Sequence, residues 1–192
     1  MTNHLGPVAI GGIGGSGTRV YSEIVQKCGF YFGGCQNPPL DSLAFTLMFK
    51  RLPTLSLEPK EFGELAGLLR DVLLNVFPSP RQREVLFQLV NDDPSVRQDH
   101  KAIAIAYKSA VTNGRTPHLG RWGWKEPNTH IVADRLIELW PEFRYIHVYR
   151  DGRDMALSAN QNQLKFWGPR VLKDEFEDNL LGSLKYLSLI HI

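Results

Sequence analysis

At 192 residues, with 43% hydrophobic and 22% charged content, the chain is long enough to bury a core and too apolar to remain disordered, so one globular domain is expected. Twenty-two basic residues against 20 acidic ones give a formal charge of +2, which is too small to select nucleic acid by bulk electrostatics, so any anion site must be local. Cys28 and Cys35 have no metal-like or redox-like spacing, no apolar run reaches the length of a membrane span, and residues 1–6 lack the basic region and apolar core of a secretory signal; a cytoplasmic protein with reduced thiols is expected.

The first element is a strand, Val8-Ala9-Ile10, that runs straight into Gly11-Gly12-Ile13-Gly14-Gly15-Ser16-Gly17-Thr18-Arg19. A helix follows, with Tyr21, Ile24, Val25 and Cys28 on one face. Strand, glycine loop and helix make a natural anion site. Backbone N–H groups converge where side chains are absent, and the helix N-terminus adds about half a positive charge. Gly12, Gly14 and Gly17 satisfy the dinucleotide-binding pattern, but no acidic residue lies about 20 positions further on to hold a ribose. Gly12 and Gly17 also have the spacing of a nucleotide-triphosphate loop, yet Thr18-Arg19 stands where that motif requires lysine. A tight turn that only lets a helix pack on a strand is the plainer alternative.

A second apolar run, Gly29 to Phe32, reads as the next strand, and the stretch from about Asp41 to Asn113 reads as helical almost throughout. Phe62, Leu65, Leu69, Val72, Leu73 and Val76 form one apolar stripe, and Ile103, Ala106, Tyr107 and Ala110 form another; both are expected in the core. Ser79-Pro80-Arg81-Gln82 carries a cap, a first-turn proline and a capping box, and Asp93-Pro94 repeats the start signal. Arg121 to Lys125 looks extended, Glu126-Pro127-Asn128-Thr129 starts a helix continued by Val132, Leu136 and Leu139, and Pro141 stops it. Tyr145 to Tyr149 then reads as a buried strand closed by Arg150, with Asp151 and Asp154 placed as a helix cap and its partner and Ser158 about two turns in. Strands alternating with helices imply a parallel sheet whose ligands sit at the carboxyl ends of the strands, where Gly11, Lys125 and Arg150 all fall. The fold expected is an α/β, P-loop-like parallel sheet flanked by helices, with a large helical insertion at about 41–113.

The order of these parts, a glycine loop, then Trp-Gly-x-Lys-x-Pro, then a strand ending Arg-Asp-Gly-Arg-Asp-x-x-x-Ser, resembles the sulfotransferase family, closest to its bacterial and tyrosyl-protein types. The resemblance covers Val8 to Phe32 and about Trp122 to Ser158. It implies a cosubstrate, 3'-phosphoadenosine 5'-phosphosulfate, and transfer of its sulfuryl group to a hydroxyl by in-line displacement without metal. Gly14, Gly15, Ser16, Gly17 and Thr18 would hold the sulfate end, and Arg150 and Ser158 the 3'-phosphate. Family members usually carry Lys or Arg just before Ser-Gly-Thr, where this chain has Gly15. Charge builds on the bridging oxygen during transfer, so a cation is still required there. Lys125 is favoured, and Arg19 could fold back from the helix.

The acceptor hydroxyl needs a base. Asp41 is the first carboxylate after Phe32 and the leading candidate, although a helix N-cap also explains it. His118 and His130 are alternatives, and His147 reads as a core residue. A small-molecule or glycan hydroxyl is expected as acceptor, with sugar, lipid, phenol and peptide hydroxyls all left open by the sequence, and the helical insertion is expected to shape its pocket. The resemblance also implies a longer C-terminal region than the one ending Leu187-Ser188-Leu189-Ile190-His191-Ile192, so truncation and weak activity are expected. A P-loop kinase, or a nucleotide-binding protein of the same fold without turnover, stays open as a rival.

Overall fold

The computed structural model describes residues 6–91 and 118–151, together with positions 108, 153, 154, 157, 165, 179 and 182. Strands β1 (Val8–Gly12), β2 (Gly123–Lys125) and β3 (Arg144–Val148) are parallel and lie in the order β2-β1-β3. They are flanked by α1 (Thr18–Lys27), α2 (Leu43–Phe49), α3 (Pro59–Leu73), α4 (Pro80–Asn91) and α5 (Ala133–Leu139), with 3-10 turns at Leu52–Ser56 and Pro127–Val132. The chain is therefore mixed α/β. Every residue of β1 is buried, as a central strand covered on both faces requires. Among the described residues no helix is long and apolar enough to cross a membrane.

Trp124 of β2 is fully buried and anchors the core. Phe45 and Phe143 stack on it at 5.7 Å, and its indole donates to Thr129 Oγ1 over 3.1 Å. Burying an indole with its N–H satisfied is the favourable arrangement for so large a side chain. Phe62, Leu65, Leu69 and Leu73 of α3 join the same cluster and Val72 packs against it half-buried, as expected of the first stripe; Val76 lies beyond the end of α3 and is exposed. The box at Ser79 forms as well: Ser79 N donates to Gln82 Oε1 over 2.8 Å, and Gln82 N donates to Ser79 Oγ over 3.3 Å. Asp93-Pro94 and the stripe from Ile103 to Ala110 fall outside the described residues.

Two expectations are corrected, and the packing of α1 adds a third finding. The run Gly29–Phe32 does not become a strand of the sheet. Only Tyr31 bridges Trp122, because α1 ends at Lys27 and the chain turns again at Gly33, which leaves too few extended residues for a ladder. The apolar face of α1 packs inward at Val25, against the cluster of Ile10, Phe32 and Val148, while Tyr21 and Ile24 on the same face are about half exposed and Ser22 and Thr18 are buried. Small side chains let the helix approach β1 and β2 closely where β1 ends in glycines. Finally, β3 is an edge strand of the described sheet with Val148 as its one buried residue, so His147 is exposed rather than packed in the core.

Candidate functional site

The carboxyl ends of the strands bring the candidate residues together. Gly12 pairs in register with Val148, and the two backbones come so close that a Cβ on Gly12 would lie 2.3 Å from the Val148 carbonyl oxygen. That approach delivers the residues after β3 to the glycine loop. Arg150 Nη1 donates to the Gly15 carbonyl over 3.3 Å, a contact spanning 135 residues of sequence. The loop turns on the bond from Ser16 N to Ile13 O, 3.0 Å, and Gly17 caps α1 in the left-handed region at φ 92 with no side-chain hydrogen bond to the first turn. Ser16 is 8% exposed and, among the described residues, its Oγ has no partner. A buried hydroxyl without a partner costs about 1–3 kcal/mol, so a ligand that accepts from Ser16 and from the helix N-terminus would relieve it.

Lys125 and Asp41 form an ion pair through Nζ and Oδ1, which places the two residues expected to be catalytic in direct contact. Lys125 is 3% exposed rather than solvated, and Nζ also donates to the Pro39 carbonyl over 3.1 Å. The cap of α2 is Ser42, whose Oγ accepts from Phe45 N at 3.3 Å, so Asp41 is free of the capping role the sequence allowed it. Asp41 is instead clasped by Asn37: its N–H donates to Asn37 Oδ1 over 2.7 Å, and its Oδ2 accepts from Asn37 Nδ2 over 3.0 Å. Leu40, between them, is held at φ 67, an unusual conformation for a branched residue. The bond from Ser42 N to the Lys125 carbonyl, 2.7 Å, ties the same turn to the end of β2.

Other candidates lie elsewhere. The Arg19 guanidinium is 3.9 Å from Glu23, along α1 and not over the loop. His118 stacks on Tyr31 at 4.4 Å, and His130 Nδ1 lies 2.9 Å from the Pro127 carbonyl within its own turn. Ser158 falls outside the described residues. Asp151 behaves as the expected cap, accepting from Arg153 N over 2.8 Å; hydrogen bonds from the Arg153 guanidinium hold its carboxyl down at about 2.

The chain matches no family model, no curated protein and no solved structure.

Two charged residues at this edge were not singled out in the sequence. Glu126 is 1% exposed; its carboxylate accepts from Asn128 N at 2.6 Å and Nδ2 at 3.1 Å, with Lys50 Nζ at 3.5 Å. Burial raises its pKa above the ordinary value, outweighing the nearby Lys50, and the Asp41 charge pushes the same way. Burial and Glu126 likewise push the Tyr145 phenol up. The sequence marks Glu126 as a helix start directly after β2 and not as a buried charge; Lys50 carries no signal.

The raised Glu126 value has a stability consequence. A folded state that binds this proton more tightly than the unfolded chain gains stability below the ordinary value of 4.5 and loses it as pH climbs through the folded value. Glu126→Gln is therefore expected to unfold later than the parent as pH rises above 4.5 toward neutrality, with the difference vanishing at lower pH. Urea unfolding curves across that range test it, and equal curves at every pH would refute the ionised, desolvated carboxylate.

A cavity of about 770 Å³ opens between the Leu52–Ser56 turn, α3 and α4, floored by Leu57, Leu65, Leu68, Val85 and Leu89. None of its lining residues comes from the glycine loop, β2 or the Asn37–Asp41 turn.

Proposed function

We propose that the chain is a cytoplasmic sulfotransferase domain of P-loop-like fold, with the helical segment of about 41–113 as an insertion that shapes the acceptor pocket. It takes 3'-phosphoadenosine 5'-phosphosulfate and passes the sulfuryl group to a hydroxyl of a small molecule or glycan. The observation that carries the reading is the contact of Arg150 with the Gly15 carbonyl, which puts a guanidinium beside a glycine loop, a bare helix N-terminus and the buried Ser16 hydroxyl. Such a site suits a multiply charged phosphate ester. Its neighbour at the strand ends, the Asp41–Lys125 pair, supplies the rest of the chemistry.

In the transfer, the bond from sulfur to the bridging phosphate oxygen breaks and a bond to the acceptor oxygen forms, while the acceptor proton passes to the Asp41 carboxylate. Lys125 orients that carboxylate and balances its charge. Adenosine 3',5'-bisphosphate is the product left behind. Calorimetry is expected to show it binding at least roughly tenfold tighter than ATP or NAD, the difference that one additional charge-assisted hydrogen bond supports. Tighter ATP binding that needs magnesium would favour a kinase instead.

A nucleotide-binding protein of the same fold without turnover is the second reading, favoured by the burial of Lys125. Transfer of radiolabelled sulfate to any hydroxyl acceptor removes it, and transfer to none, with bisphosphate binding intact, supports it.

A further inference from the structure

Resting on that nucleotide reading, we propose that Arg150 serves the 5' end of the nucleotide, as the cation that meets the phosphosulfate charge, rather than the 3'-phosphate. Position 15 offers no cationic side chain, and its backbone lies at φ +97, where a side chain is strained although none of the described residues occupies the space within 4 Å. The Lys125 ammonium is buried against Asp41 and the Pro39 carbonyl. Arg19 is turned to Glu23. Among the described residues the guanidinium that reaches the loop is that of Arg150, and it is bonded to the loop's own carbonyl at Gly15. Asp151, next to it in sequence, is engaged by the Arg153 guanidinium at 2.8 Å, and among the described residues no carboxylate pairs with Arg150. One Nη on Gly15 leaves the remaining N–H groups of the planar fork for an anion seated in the loop. A guanidinium placed there compensates for the glycine at 15: the charge arrives from the end of β3 instead of from the loop.

Adenosine 3',5'-bisphosphate and adenosine 5'-monophosphate separate the two ends. Arg150 is exposed, so Arg150→Ala is expected to fold normally by circular dichroism. Its affinity for both nucleotides is expected to fall by the same factor, roughly 10- to 100-fold, with Arg150→Lys in between because it keeps the charge and loses the fork. A loss confined to the bisphosphate assigns Arg150 to the 3'-phosphate and overturns the inference while leaving the nucleotide reading intact. Unchanged affinity for both overturns it equally. A parent protein that binds neither nucleotide removes the nucleotide reading and this inference with it.

Discussion

Asp41→Asn is expected to destabilise the fold by about 3 kcal/mol, more than Lys125→Met, because breaking a buried ion pair costs most when the charge left behind is the better buried one. The Lys125 side chain is 4% exposed and that of Asp41 21%. With the carboxylate neutralised, Nζ keeps the Pro39 carbonyl at 3.1 Å and at best a neutral amide oxygen, but no counter-charge from position 41. With the lysine removed, Asp41 keeps Asn37 Nδ2 at 3.0 Å and partial access to water. Asparagine keeps the backbone bond to Asn37 Oδ1 but offers one acceptor oxygen to two donors, Lys125 Nζ and Asn37 Nδ2, so the loss reports the charge together with one side-chain hydrogen bond. The double variant Asp41→Asn with Lys125→Met is expected to recover most of the difference, since it strands neither charge. Urea unfolding of the four proteins closes the cycle. Additive losses, or single variants within about 0.5 kcal/mol of the parent, would show that the pair is not desolvated as the structure has it. Activity carries separate information: if Asp41 takes the acceptor proton, Asp41→Asn lowers kcat by roughly 100- to 10,000-fold while leaving the affinity for adenosine 3',5'-bisphosphate near that of the parent. A stability loss without that kinetic loss marks the pair as a clip between the Asn37–Asp41 turn and β2.

Local signals were legible where the physics is local. The box at Ser79 and Gln82, the start at Glu126-Pro127 and the stop before Pro141 each rest on a few neighbouring residues, and each forms where the spacing puts it. Periodicity located the α3 stripe because that helix meets the core along one face. It is less informative for α1, where one member of the apolar face, Val25, meets the core and the packing partner is the glycine end of β1; closeness of approach places Ser22 and Thr18 in the interior as well. Composition misjudged β3 for a related reason, since aromatic and β-branched residues suit any strand and do not reveal whether it lies at an edge. The site was half legible. Asp41 and Lys125 were each named, but only the folded chain brings positions 84 residues apart into one ion pair. Glu126 and Lys50 were invisible as a pair because Lys50 sits at the end of α2 with no pattern around it.

Gly12→Ala is expected to cost about 3 kcal/mol and to abolish nucleotide binding, whereas Gly15→Ala, three residues along the same loop, is expected to cost about 1 kcal/mol. Both positions have left-handed backbones, φ 142 at Gly12 and φ 97 at Gly15, so both carry conformational strain. What separates them is space. A methyl group on Gly12 would lie 2.3 Å from the Val148 carbonyl oxygen and 3.2 Å from Ser16 Oγ, while none of the described residues lies within 4 Å of one on Gly15. The Val148 oxygen is backbone and cannot rotate aside, so the ends of β1 and β3 must part at the residues that pair them. Parting them carries Arg150 away from the Gly15 carbonyl and shifts the turn that buries Ser16. In a chain of this size the melting temperature is expected to fall by about 10 °C for Gly12→Ala and about 3 °C for Gly15→Ala. Calorimetry with adenosine 3',5'-bisphosphate, run below both melting points, then isolates the site from the fold: Gly15→Ala retains binding and Gly12→Ala does not. Equal behaviour of the two variants would mean that the contact between strand ends does not position the loop, and that Arg150 reaches Gly15 without it.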